Sequence, residues 1–327
     1  MAAFSFFDVN MADSCYQDMS RKVLITGGAG FIGSHLAGSL LADGYVVDVV
    51  DNLSTGRIEN VPAGADFLEL DLRFEEAVES LPGKDYAAVL HLAGQSSGEK
   101  SFYDPLYDLY ANARSTLLLA RWALEKAVPT FLYASSMGVY GQPDKLPVSE
   151  ATPARPISYY GTSKLSAERI LQVASGQGLR TVSFRMFSVY GPGKNLDDMK
   201  QGVVSIYLAQ LLREHSLLVK GSLDRQRDFI FIDDVVSAWK LALESSASGI
   251  FNLGTGQATT LRELVLMLKD ACGSGDDFPA AEGPGTPGDQ FALAADIGEI
   301  TRALGWSPQV SLADGIGRMV AWAKGNR

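Results

Sequence analysis

Val23-Leu-Ile-Thr-Gly-Gly-Ala-Gly-Phe-Ile-Gly33 is the stretch on which the fold turns. Residues 23–25 form a short apolar run, and apolar residues recur at helical spacing from Phe31 to Leu41. Between them, Gly28, Gly30 and Gly33 give the spacing G-x-G-x-x-G. Gly27 gives a second reading, G-x-x-G-x-x-G. A strand before and a helix after is the context that gives such glycines meaning. They let the backbone turn tightly and approach a pyrophosphate, whose charge the helix N-terminus favours. The next apolar run, 45–50, ends in Asp51, 18 residues after Gly33. A carboxylate there can accept both ribose hydroxyls of NAD and repels the 2′-phosphate of NADP. NAD is therefore the expected cofactor, although Arg57 lies near enough in sequence to meet a phosphate.

Outward from this turn, strand-like runs recur at 46–50, 67–70, 87–92, 130–134 and 181–184, with amphipathic segments at 112–126 and 162–174. That alternation predicts an α/β fold, a Rossmann-type doubly wound parallel sheet with helices on both faces. Its ligand crevice is expected at the strands' C-terminal ends. The second half differs: 202–213 and 235–244 read as helices and 229–232 as a strand. Residues 273–290 are rich in Gly, Pro and Asp and read as a mobile loop. The expected organisation is an N-terminal extension over 1–20 and an NAD-binding Rossmann domain over 21–185, to which 228–258 returns. A smaller C-terminal α/β substrate-binding lobe takes 186–227 and 259–327.

The 327 residues are 46% apolar and 20% charged, with net charge −10 and no basic tract, so neither nucleic acid nor an anionic membrane is an expected partner. Two cysteines, Cys15 and Cys272, fit a reducing compartment and show no metal spacing; no metal is expected. His35, His91 and His215 are scattered, and His91 reads as structural. Residues 1–20 carry no Lys or Arg, which argues against a secretory or mitochondrial signal. No apolar run reaches the roughly 18 residues needed to cross a bilayer. A cytoplasmic protein is expected.

Further along, Tyr160 and Lys164 stand four residues apart, and positions i and i+4 share a helix face. Lys164 is expected to lie beside the Tyr160 phenol and lower its pKa, making it a general base. Upstream, Ser135-Ser136 ends an apolar run.

With these residues placed, the chain resembles the NAD-dependent sugar-nucleotide epimerase/dehydratase family of extended short-chain dehydrogenase/reductases, from about Arg21 to the C-terminus. The matching segments include Thr26–Gly33, Asp51-Asn-Leu-Ser-Thr-Gly56, Asp71-Leu72, His91-Leu-Ala-Gly94, Asn112, Tyr133-Ala-Ser-Ser-Met-Gly-Val-Tyr-Gly141 and Tyr160–Lys164. Later come Arg185-Met-Phe-Ser-Val-Tyr-Gly-Pro-Gly193, Arg227-Asp-Phe-Ile-Phe-Ile-Asp-Asp234, Asn252-Leu-Gly-Thr-Gly256 and Pro287-Gly-Asp289. The resemblance implies that Tyr160 is the acid/base on the sugar 4-hydroxyl, that Ser136 hydrogen-bonds that hydroxyl, and that Lys164 holds the nicotinamide ribose. It implies Asp51 and Asn52 on the adenosine ribose, Asp71 and Leu72 near the adenine, Leu92, Ala93 and Gly94 along the cofactor, and Asn112 steadying its neighbourhood. Gly27, Gly30, Phe31, Ile32 and Gly33 complete the cofactor set. Arg227 would meet the substrate diphosphate, with Ser188, Asp289 and Leu293 also facing substrate. The family also implies a homodimer.

Related dehydratases and decarboxylases place an acidic residue just after the serine or threonine. Here Met137 and Gly138 stand there, and neither moves a proton. The resemblance therefore implies C4 epimerisation of a nucleoside-diphosphate sugar, a UDP-sugar first, through a transient 4-keto intermediate. Leu293 stands where a bulky tyrosine can limit the C2 pocket, so an N-acetylated or otherwise enlarged sugar would fit. Ser188 and Thr286 replace the family's asparagine and arginine. Those departures keep open an NAD-dependent oxidoreductase on another sugar or carbonyl substrate; the other alternative is a non-catalytic dinucleotide-sensing protein, against which the Ser136–Tyr160–Lys164 set argues.

Overall fold

The glycine turn joins the strand β1 (Lys22–Thr26) to the helix α1 (Phe31–Ala42) in a computed structural model that describes residues 21–83, 85–198, 202–214, 216–275 and 279–325. The extension expected over 1–20, with Cys15, and His215 lie outside the described residues. The strands run on as β2 (Val46–Asp51), β3 (Asp66–Glu69), β4 (Tyr86–His91), β5 (Thr130–Ser136) and β6 (Arg180–Met186). They continue as β7 (Ser188–Tyr190), β8 (Leu217–Lys220), β9 (Gln226–Arg227), β10 (Phe229–Phe231), β11 (Gly249–Leu253), β12 (Thr259–Thr260) and β13 (Ala280–Gly283). Helices follow as α2 (Glu75–Glu79), α3 (Gly98–Tyr103), α4 (Pro105–Leu109), α5 (Ser115–Glu125), α6 (Tyr159–Ser175), α7 (Val203–Arg213), α8 (Ile232–Glu244), α9 (Leu261–Cys272), α10 (Gly298–Leu304) and α11 (Leu312–Gly325).

The main sheet has the order β11-β6-β5-β4-β1-β2-β3, and every pair in it is parallel. Both faces are covered, which is why its central strands read as continuous apolar runs. On one face, Leu36 and Leu40 of α1 pack with Val235 and Trp239 of α8. On the other, Leu118 and Trp122 of α5 pack with Ala167 and Leu171 of α6. The strand order reverses between β1 and β4, and such a switch point opens a crevice at the strands' C-terminal ends.

β11 comes from far down the chain and pairs with β6. A third core gathers Leu208 of α7, Leu264 and Leu268 of α9 and Met319 of α11 around Phe229 and Phe231. Asp228 ties this part to the sheet. Its carboxylate accepts from the Thr255 N–H and hydroxyl (2.8 and 2.6 Å), the Gly256 N–H (2.9 Å) and the Ala295 N–H (3.1 Å).

Two readings of the second half need correction. The strand expected over 229–232 stops at Phe231, and α8 starts at Ile232, three residues earlier than expected. Asp233 and Asp234 fill its first turn, where the helix dipole favours negative charge. The segment 273–290 is not all loop: Ala280–Gly283 pairs in parallel with Leu217–Lys220, because the edge of β8 offers free backbone groups. None of the described helices is long and apolar enough to cross a membrane.

Candidate active site

A cleft of about 1220 Å³ opens at the C-terminal ends of the main sheet. It exceeds the ~300–1,000 Å³ of an ordinary small-molecule pocket, so it has room for two ligands side by side.

One end is built from backbone. Gly27 has φ +71, and a Cβ there would lie 2.6 Å from the Ala93 N. At Gly33 a Cβ would lie 2.2 Å from the Gly27 carbonyl oxygen. Gly27, Gly30, Phe31, Ile32 and Gly33 line the cleft, whereas Gly28 is pressed against Val49 of β2. The second of the two glycine spacings is thus the one that faces the opening. Gly30 caps α1 without a side-chain bond, and no acid occupies the first turn. An uncapped helix N-terminus over a side-chain-free turn suits a pyrophosphate.

Asp51 ends β2 and accepts from the Ala29 and Leu53 N–H groups at 3.1 and 2.9 Å. Burial raises its carboxyl above the usual range, and those N–H groups pull it back. Asn52 accepts from the Ser54 N–H at 3.1 Å. Arg57 turns away to Asn195 and Asp197 across the cleft mouth, at 3.4 and 3.5 Å. Asp71, Leu72, Leu92, Ala93 and Gly94 line the same end. These residues fit a dinucleotide: a glycine cradle, an open helix end and a carboxylate at the tip of the second strand.

In the middle of the cleft, pleat alternation separates the two serines, since successive strand residues point to opposite faces. Ser135 donates inward to Glu168 at 2.5 Å, and Glu168 is paired with Arg185 at 2.8 Å, both buried. Removing either partner of such a pair costs about 3–5 kcal/mol. Ser136 opens to the cleft, accepts from the Gly138 N–H at 3.1 Å and hydrogen-bonds the Tyr160 phenol. Tyr160 stands at the start of α6, whose N-cap Ser158 accepts from the Gly161 N–H at 3.0 Å.

Lys164 lies beneath, 4% exposed, and donates to the Ala134 carbonyl at 3.0 Å. Here the sequence expectation fails in part. Burial pushes the Tyr160 phenol up to about 12, with only the Ser136 hydrogen bond pulling it down. Burial also lowers Lys164 to about 8. The ammonium is aimed at the strand end and sits 5.9 Å from the phenol ring centre, so it does not lower the phenol's pKa in this state.

Asn112 does not reach the cleft. It is fully buried on a π-helical turn, Tyr110–Arg114, behind Gly94, and donates to Asp108 at 3.2 Å and Ser163 at 3.1 Å. His91 is a core residue, bonded to Thr26 at 2.7 Å and Thr116 at 3.0 Å, and burial holds it neutral with a pKa of about 3.

The far end is built from side chains. Ser188, Arg227 and Asp289 line it, and so does Arg225. Asp289 pairs with both arginines. Burial and the Arg225 charge lower Arg227 to about 10. Leu293 does not join them: it is fully buried among Val139, Tyr140, Val148 and Phe187. Along this extended segment the exposed neighbour is Phe291, and Leu293 alone does not set the room in the cleft. Lys220 and Glu99, both in the cleft, pair at 3.1 Å, and Asp198 at its wall pairs with Lys100 at 3.2 Å.

Sequence reasoning missed three side chains. Arg73 lines the cleft, binds both oxygens of Asp71 at 3.0 Å through Nε and stacks over Tyr107 at 4.4 Å. Asp108 is fully buried and accepts from Gln95 at 2.7 Å and Ser163 at 2.6 Å. Gln290 donates to the Gly141 carbonyl at 2.6 Å, tying the Pro287–Asp289 segment to the serine strand. None lies at a diagnostic spacing; only their meeting in space marks them.

Comparison with known proteins agrees with this geometry. Residues 23–254 match the NAD dependent epimerase/dehydratase family. UDP-glucose 4-epimerase of Mycolicibacterium smegmatis is 35% identical, with 91% of this chain and 97% of that protein aligned. The crystal structure of UDP-glucose 4-epimerase from Thermotoga maritima with UDP-glucose superposes with a TM-score of 0.89 at 35% identity, covering 93% of this chain and 99% of that one. The Thermus thermophilus UDP-glucose 4-epimerase in complex with NAD gives 0.85 at 36% identity, covering 94% and 100%. The chain belongs to the NAD dependent epimerase/dehydratase family.

Proposed function

From that membership we propose that the chain is an NAD-dependent 4-epimerase of a UDP-sugar. The observation that carries the reading is the convergence of Ser136, Tyr160 and Lys164 between a dinucleotide cradle and a two-arginine pocket, with Met137 and Gly138 beside the serine. The residues of the cradle would hold NAD, which would supply a hydride acceptor and donor at C4. Tyr160 takes the 4-hydroxyl proton and later gives it back, while Ser136 holds that oxygen. Lys164 orients the nicotinamide ribose. Gly27, Gly30, Phe31, Ile32 and Gly33 seat the pyrophosphate; Asp51 and Asn52 hold the adenosine ribose; Asp71, Leu72, Leu92, Ala93 and Gly94 line the rest. Asn112 supports Gly94 from behind. Arg227, Asp289 and Ser188 take the nucleotide sugar. Met137 and Gly138, which follow Ser136, move no proton, and Tyr160 is taken up with the 4-hydroxyl, so the C5 proton is expected to stay in place.

The working unit is two lobes, a cofactor lobe of 21–185 with 228–258 and a substrate lobe of 186–227 with 259–327. A cytoplasmic homodimer completes the reading. Exposed Tyr103, Leu106, Leu117 and Val173 on α3–α6 support the dimer.

The test is turnover of UDP-sugars in D₂O, read by NMR and mass. A C4 epimer of unchanged mass, with no deuterium at C5 and no carbon dioxide, is expected. Deuterium at C5, loss of water or loss of C6 would sink the reading.

A further inference from the structure

We infer that Arg225 is a substrate-binding residue: together with Arg227 it cradles the diphosphate of the nucleotide sugar and sets the preference for a diphosphate over a monophosphate. The inference rests on the nucleotide-sugar reading of the cleft.

Arg225 immediately precedes β9 and Arg227 ends it; both line the cleft. They are 9% and 5% exposed, so neither is a loose surface arginine. Two buried like charges so close need an anion between them. Asp289 supplies it, giving Oδ2 to Arg225 and Oδ1 to Arg227. One anion bridging two guanidiniums is therefore a geometry the pocket already adopts. Two cations against one carboxylate leave one net positive charge, and all three side chains belong to residues that line the cleft. A guanidinium's planar fork matches phosphate oxygens, and two forks match the two charged phosphoryl groups of a diphosphate diester.

The surroundings hold Arg225 in place. Its Nε donates to the Ser222 carbonyl at 3.2 Å, Nη2 to the Lys220 carbonyl, and the Tyr207 phenol hydrogen-bonds it. Gly221, at φ +80, makes the room: a Cβ there would lie 3.0 Å from the guanidinium carbon. Three nearby cations are engaged elsewhere. Lys220 pairs with Glu99, Lys100 with Asp198 and Arg213 with Asp197. Thr286, which opens the turn carrying Asp289, lines the same pocket and brings no charge.

The competing role is a brace for the turn at 220–222. Calorimetric titration with UDP and with UMP separates the two. Arg225→Gln is expected to weaken UDP by about 10–100-fold, the scale of one charge-assisted contact, and UMP by clearly less. NAD affinity should hold, Tm should fall because the bonds to Ser222, Lys220 and Asp289 are lost, and KM for the UDP-sugar should rise with little change in kcat. Arg225→Lys keeps the charge without the fork; it should fall between the two, and it carries the test if the glutamine variant does not fold. Unchanged UDP affinity, or equal losses for UDP and UMP, would overturn the proposal, as would a wild type that binds no UDP. Arg225-dependent UDP binding without turnover of any UDP-sugar upholds this assignment and sinks the epimerase reading. Turnover with an unmoved KM in the variant does the reverse.

Discussion

The two ends of the cleft are built from different materials. The end around Thr26–Gly33 is contiguous in sequence and made of backbone, where a single methyl group has nowhere to go. The end around Ser188, Arg225, Arg227 and Asp289 is drawn from a hundred residues of chain and made of long side chains. A backbone site accepts one solution, so it leaves a motif. A side-chain site can supply the same charge from a different position, as Arg225 does where Thr286 brings none. Cofactor choice is thus written locally, and substrate choice is written in three dimensions.

The sharpest test falls where the two ends meet. On the proposed function Tyr160→Phe removes the acid/base, and turnover is expected to fall about 10²–10⁴-fold with NAD affinity intact. Near-normal kcat would remove Tyr160 from its role. At the backbone end, Gly33→Ala forces a Cβ to 2.2 Å from the Gly27 carbonyl oxygen. Overpacking of that kind costs about 1–3 kcal/mol, and titration should show NAD weakened by roughly 10–100-fold. A variant that binds NAD normally would break the contrast, because the backbone end would then bend as a side-chain end does.

Asp51→Asn is milder. It removes the charge that opposes a 2′-phosphate, and the preference for NAD over NADP should drop by about tenfold, the ~1.4 kcal/mol scale of one screened charge contact. An unchanged ratio would move the selectivity elsewhere.

The smallest effect concerns Lys164. Burial lowers its pKa to about 8 from 10.5. Below pH 8 the native state carries a buried charge. Between pH 8 and 10.5 the unfolded chain binds more protons, so stability rises with pH there. In cofactor-free protein, Lys164→Met should unfold at higher urea than wild type at pH 7.5. That gap should shrink by pH 9.5; a gap of equal size at both pH values would contradict the assignment.

The sheet's first six strands are legible because burial on both faces leaves short β-rich runs, and the glycine turn because its spacing is local. Ser136 over Ser135 is settled by pleat alternation, a period of two that the pair alone does not phase. Leu293 fails for another reason: it is buried against Val139, Val148 and Phe187, contacts from distant parts of the chain that sequence spacing does not show. Lys164 and Tyr160 share a helix face, but the ammonium does not reach the phenol to lower its pKa here. Helix spacing fixes a shared face but not where a four-carbon stem ends, and here the Ala134 carbonyl captures it. Asp108 was missed because Gln95 and Ser163 lie on other elements, and Arg73 because its pairing with Asp71 has no diagnostic spacing; Arg225 could not be placed because Asp289 and Tyr207 are distant in the chain. The β8–β13 pairing was hidden under a Gly- and Pro-rich composition.

The seventh strand sets the order of assembly. β6 is complete at Met186, but its neighbour β11 begins at Gly249. Emerging from the ribosome, the cofactor-binding sheet waits about sixty residues with an open apolar edge, while α7, α8 and the arginine strand are still being made. Until β11 closes that edge, a nascent chain can pair with another instead of with itself. Translation speed across 187–253 therefore bears on yield, as does the similar wait of β1 for β4 across 27–85.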